Sequence, residues 1–163
     1  MLNIRLNVPL VGQERGYDGQ PIMRSDHHGI VRPWGINACW YASACMVSYY
    51  FHPGPRLGLP TLWRADLGLN VRELGWLAWS EGLLRLVEPH EGFTPYFIAE
   101  TLRIRGPIWA AISLPSVDHH AVVLTGVEGH TLYYNDPSEP ARLQRDFFDF
   151  RFNVLFVKNP DWL

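Results

Sequence analysis

Cysteine is scarce in this chain of 163 residues: Cys39 and Cys45 are the only two. Six positions apart on one helix, they would lie about 9 Å apart along its axis and point to different sides, which excludes a disulfide between them. Charge is scarce too. Charged residues make up 18% and the net charge is −2, so the basic stripe of a nucleic-acid binder is missing and nucleic acid is excluded as a partner. No run approaches the roughly 18 apolar residues of a spanning helix, which excludes a membrane span. The N-terminus, Met1-Leu2-Asn3-Ile4-Arg5-Leu6-Asn7, lacks a signal peptide's apolar core and cleavage site. The protein is therefore expected to be cytoplasmic as synthesised, although secretion by a machine that ignores signal peptides would leave no mark here. Repeats, low-complexity tracts and linkers are missing as well, and the length predicts one compact domain over 1–163. Aromatic residues are plentiful at 13%, within an ordinary 47% hydrophobic content.

Residues 1–36 read as an extended, loop-rich lead-in. Val8-Pro9-Leu10-Val11-Gly12-Gln13 is mostly apolar, and Gly16, Gly19 and Pro21 then break any regular element. Asp26-His27-His28 resembles a metal fragment, but no cysteine or third spaced ligand accompanies it, so a solvated loop without metal is expected. A first helix is predicted over Cys39 to Phe51, free of Pro and Gly and stopped by His52-Pro53-Gly54-Pro55. Asn70 and Glu73 form a capping box for a second helix over Val71–Ser80, on which Trp76 and Trp79 share a face expected to enter the core. Thr94-Pro95 caps a third helix through Arg103, closed by Gly106-Pro107. From Ile108 the pattern changes to short β-rich runs: Ile108–Ser113, His119–Val127, Thr131–Asn135 and Asn153–Val157. Helices first and antiparallel strands later predict an α+β fold, with a helical half over 37–105 and a sheet half over 106–163.

Cys39 stands where the irregular Arg32-Pro33-Trp34-Gly35 gives way to the first helix. In that first turn, unpaired N–H groups and the helix dipole favour a thiolate. Alone it reads equally well as a small buried hydrophobe. Two strands tip the balance: His119-His120-Ala121-Val122-Val123-Leu124 begins with histidine, and Thr131-Leu132-Tyr133-Tyr134-Asn135-Asp136-Pro137 ends with an acid. A turn around Glu128-Gly129 makes them a hairpin, bringing histidine and acid to the same open end. A thiolate needs a base that takes its proton, and the base needs a third group to fix its tautomer. Cys39, His120 and Asp136 supply these roles. Register leaves the third one open. A two-residue turn at Glu128-Gly129 puts His120 on the face of Asn135, whereas a three-residue loop through His130 puts it on the face of Asp136. Pro137 ends the ladder in either case and frees Asp136 to turn.

These residues resemble the papain-like cysteine peptidases, within them the compact bacterial effector and bacteriocin-leader-peptidase branches. Cys39-Trp40-Tyr41-Ala42-Ser43-Ala44 is similar to the family's nucleophile helix and Gly106-Pro107-Ile108-Trp109-Ala110 to its pre-histidine strand. His120-Ala121-Val122-Val123 is similar to its histidine strand, and Asn135-Asp136-Pro137 to its acid motif, all in the family's order. The resemblance implies a two-lobed fold with substrate bound between a helical lobe and a sheet lobe. It also implies His120 as the base, since that histidine directly precedes the small Ala121. Two departures stand out. Asn37-Ala38 replaces the glycine-serine pair before the cysteine, and Pro33 stands where the oxyanion glutamine is expected. The Cys39 N–H can supply one oxyanion donor, and Gln13 and Asn37 are the candidates for the other. Gln13 ends an apolar-Pro-apolar stretch similar to the family's lead-in, as though residues 14–34 were an inserted loop.

What the resemblance implies is a thiol hydrolase cutting an amide bond in a peptide or protein through a thioester, with no metal or organic cofactor. The lack of room for an inhibitory pro-segment makes a cognate immunity or inhibitor protein a candidate partner, and the bacterial branch suggests a delivered toxin. The same triad would serve a peptidoglycan amidase, a deamidase or an acyltransferase. A non-catalytic binding module on the same fold is the remaining reading.

Overall fold

The computed structural model describes residues 2–12, 23–25, 31–33, 39–52, 71–138 and 141–162. Gln13, Asn37, the His27-His28 pair and Asn70 lie outside them. The described part is α+β: three helices, α1 (Cys39–Phe51), α2 (Val71–Glu81) and α3 (Pro95–Arg105), accompany a seven-stranded antiparallel sheet. Its strands are β1 (Asn3–Arg5), β4 (Leu83–Arg85), β5 (Ile108–Leu114), β6 (Val117–Glu128), β7 (Thr131–Asp136), β8 (Ala141–Asp146) and β9 (Arg151–Lys158). The order is β4-β9-β5-β6-β7-β8, with β1 on β6. A separate two-stranded ribbon pairs β2 (Met23–Ser25) with β3 (Val31–Pro33).

Alternation along the central strands gives the sheet two buried faces. Trp109, Ala121, Val123 and Phe156 meet α1, Leu77 of α2 and the lead-in residues Val8 and Val11. Ile108, Val122, Leu124 and Leu155 meet Ile98, Ala99 and Leu102 of α3. A strand covered on both sides must be apolar at both parities, and β6 is buried without a break from Ala121 to Val127. Helix α1 has no charged residue, and every position from Trp40 to Tyr49 is buried. A helix apolar all round has no solvent face and becomes the centre of its layer.

Several expectations change. The lead-in is not all loop: β1 pairs with β6 beyond the end of β5, Ile4 opposite Val127, and Leu6 N–H continues the ladder to Thr125 O at 2.8 Å. This approach requires Gly126, because a Cβ there would meet Ile4 O at 2.6 Å. Trp76 and Trp79 do share a face of α2, but it is the outward one, 64% and 81% exposed, while Leu77 is fully buried. Two apolar stripes compete on that helix, and the slimmer Leu77 stripe allows closer packing on the core. β8 escapes the sequence pattern because it lies at the end of the sheet with mostly exposed residues, and β4 because it is three residues long.

Candidate active site

Three elements deliver the candidate triad. Cys39 is the first residue of α1 and is half-buried. The helix is fixed beside it by the Trp109 indole of β5, whose N–H donates to Trp40 O at 2.8 Å in a fully buried contact. A buried donor tied to the residue next to the thiol sets how far the helix end stands from the sheet. Trp109→Phe keeps the ring but leaves that contact unmade, and should cost about 1–2 kcal/mol of stability. The loss is read as the difference in melting temperature between the two proteins.

His120 lies near the start of β6, opposite Ile112 of β5. Its Nε2 is 2.7 Å from Asp136 Oδ1 at the end of β7, and the Cys39 side chain is among the groups that raise its pKa. With Nε2 engaged by the carboxylate, Nδ1 is the ring nitrogen left for the sulfur. The side chains of His120 and Asp136 are 15% and 19% exposed, so their attraction is little screened by water.

The turn differs from both registers considered. It is the two-residue Gly129-His130, with Glu128 opposite Thr131 and Gly129 at φ 59°. A bulge between Leu124 and Gly126 then absorbs one residue of β6, so Val123 faces Asn135. Extended one residue toward the open end, that pairing sets Asp136 opposite Val122, on the face that Val122 shares with His120. Asn135, on the other, is fully buried and donates its amide to Val8 O at 3.3 Å, tying β7 to the lead-in. Asp136 does not leave the ladder at Pro137, for it still pairs with Ala141 of β8.

Ser138 was not foreseen. Its N–H and hydroxyl both donate to Asp136 Oδ1, at 2.9 and 2.7 Å. The signal was present in Asp136-Pro137-Ser138, since an aspartate accepting from the N–H two residues on is the Asx-turn habit. Burial pushes the Asp136 pKa up, but the hydrogen bond and charge of His120, with the two Ser138 donors, outweigh it and hold the carboxyl below its ordinary 3.8. At His120 burial favours the neutral ring. Hydrogen bonds to Asp136 and Cys39, then the charges of both, overcome this and raise the pKa from 6.5 to about 10. At neutral pH the ring is an imidazolium between the Cys39 sulfur and the Asp136 carboxylate.

Among the described residues no group of three or more His, Cys, Asp or Glu side chains could hold a metal, and no helix is long and apolar enough to cross a membrane. Cys45 is buried in the core at 2% exposure, away from the helix start. Residues 34–154 match the model of a protein family described as papain-like cysteine protease AvrRpt2.

Proposed function

From the premise that the chain belongs to this family of papain-like cysteine proteases, we propose that it hydrolyses backbone amides of peptide or protein substrates with a Cys39–His120–Asp136 triad. The observation that carries the reading is the contact of His120 Nε2 with Asp136 Oδ1 at 2.7 Å, on a ring whose pKa the Cys39 side chain also helps to raise. With the Cys39 proton already on His120, Sγ attacks the scissile carbonyl carbon as a thiolate, and the carbonyl electron pair moves onto oxygen. The His120 imidazolium gives its proton to the departing amine as the tetrahedral species collapses to a thioester. Neutral His120 then takes a proton from water, the hydroxide adds to the thioester, and the thiolate leaves with a carboxylic acid as product. Asp136 keeps the ring oriented and supports its positive charge throughout. Substrate would lie between the helical part carrying Cys39 and the sheet part carrying His120 and Asp136, in the two-lobed manner.

The test is to incubate the protein with a denatured protein substrate and map the products by mass spectrometry. New chain termini are expected. Intact backbones with converted side-chain amides would identify a deamidase, new amide links an acyltransferase, and cleavage of peptidoglycan alone an amidase.

The oxyanion needs donors, each worth roughly 3–4 kcal/mol. The Cys39 N–H, at a helix start where no intrahelical acceptor exists, is one. We assign the other to Gln13, since the segment leading to it is packed against the helix layer through Val8 and Val11. Gln13→Ala should lower kcat about 10²-fold with little change in KM or melting temperature. Normal turnover in that variant together with loss in Asn37→Ala would move the role to Asn37.

An effector role in another cell's cytosol, under the control of a cognate inhibitor, fits one compositional fact. Of the 14 basic residues, Lys158 is the single lysine. It is 6% exposed, its ammonium donating to Glu81 O and Ser48 Oγ at 2.6 and 3.1 Å. A folded surface without lysine amines offers little to lysine-directed conjugation such as ubiquitination.

A further inference from the structure

Among the described residues His119 is the one non-glycine with positive φ, at 51°. It directly precedes His120. Around it the pairing of β6 with β5 slips: Ile112 faces His120 but Leu114 faces Val117, so Asp118 and His119 together oppose Ser113. This is a bulge with its second residue left-handed, the sort of irregularity that re-aims a neighbouring side chain. The distortion is held from the other side as well. On β9 Ala111 faces Val154 while Ile112 faces Phe152, which bulges Asn153, and the Asn153 amide donates to Ser113 Oγ at 3.2 Å. The β6 bulge thus lies opposite Ser113 and the β9 bulge opposite the Ala111–Ile112 step just before it. Unfavourable backbone persists where its surroundings over-determine it, and such places cluster at functional sites.

We infer that His119 is a positioning residue, whose left-handed backbone turns His120 out of the regular strand path toward Cys39. The inference rests on the reading of His120 as the base. A regular strand through residues 117–120 would set each side chain by simple alternation, and the extra residue breaks that alternation one position before the imidazole. Histidine suits the task because, with Asn and Asp, it is among the non-glycine residues enriched in the left-handed region, which β-branched residues avoid. The His119 side chain is exposed, so the role belongs to its backbone.

The test is a backbone series at this position, with His119→Gly, His119→Asn and His119→Val assayed for kcat, KM and melting temperature. Gly and Asn accept the left-handed conformation and are expected to keep wild-type kcat. Val resists it and should lower kcat by about 10²-fold, the cost of misplacing a reacting group by about 1 Å, with KM within about twofold. If His119→Val does not fold, His119→Ala replaces it and should fall below Gly and Asn in kcat. A folded Val variant with wild-type kcat overturns the inference, as does a Gly variant that falls with Val, which would assign the role to the imidazole. His120→Ala is the control for the underlying reading. If it retains turnover, His120 is not the base. If it is inactive while His119→Val is fully active, only the positioning role fails.

Discussion

Cys39→Ala is expected to bring amide hydrolysis down to the limit of detection, a loss on the order of 10⁵-fold or more, with no loss of folding. No other group stands where the thiol is. Cys45 is six positions further along α1 and 2% exposed, so it cannot take over. Its side chain is part of the packed core, whereas Cys39 sits half-buried at the helix start with an imidazolium in reach. Iodoacetamide near neutral pH should for the same reason alkylate Cys39 first and leave Cys45 unmodified in the native protein. Equal labelling of the two, or residual hydrolysis in the alanine variant above the rate of a mock preparation, would remove Cys39 from the mechanism.

The second large effect is at Asp136. Asp136→Ala should lower kcat/KM about 10³-fold, since both the orientation and the charge of the imidazole depend on that carboxylate. Asp136→Asn separates the two. Its amide oxygen can still accept from Nε2–H, so orientation is largely kept while the charge is lost. The pH dependence then reports the charge. His120, raised to about 10, must be protonated to release the amine, so wild-type activity should persist into the alkaline range and fall as pH rises through that value. In Asp136→Asn the charge that raises it disappears and the hydrogen bond goes to a neutral acceptor, so the alkaline limb should move to lower pH. Stability follows the same signs. The contribution of His120 is complete below 6.5 and is lost as pH rises through about 10. That of Asp136, whose pKa is lowered, is present above 3.8 and is lost as pH falls through its folded value. A melting temperature that is highest between these limits, with a smaller alkaline loss in Asp136→Asn, is the expected result. An alkaline limb that stays where it is in Asp136→Asn would show that the carboxylate does not control the ring.

How far these residues could be read without coordinates depends on the range of the interaction involved. The three helices were legible because their signals are local. Absence of Pro and Gly over Cys39–Phe51, and the Thr94 cap whose hydroxyl accepts from Phe97 N–H at 3.1 Å, act within a few residues. The places of Cys39 at the start of α1 and of His120 near the start of β6 were legible for the same reason. What the sequence by itself determined was the α+β succession, the central apolar helix with its leading thiol, and the strands whose ends carry histidine and acid. Only the tertiary structure showed that Asp136 and not Asn135 contacts His120, because one bulge near Thr125 shifts the register by a residue and exchanges the face of every side chain beyond it. It also decided that the outward stripe of α2 is the one with two tryptophans, and that β1 pairs with β6 beyond the end of β5. Each of these is settled by which distant surface is available to pack or to donate a hydrogen bond, and a chain carries no local record of surfaces formed by residues more than a hundred positions away, as when Asn135 meets Val8.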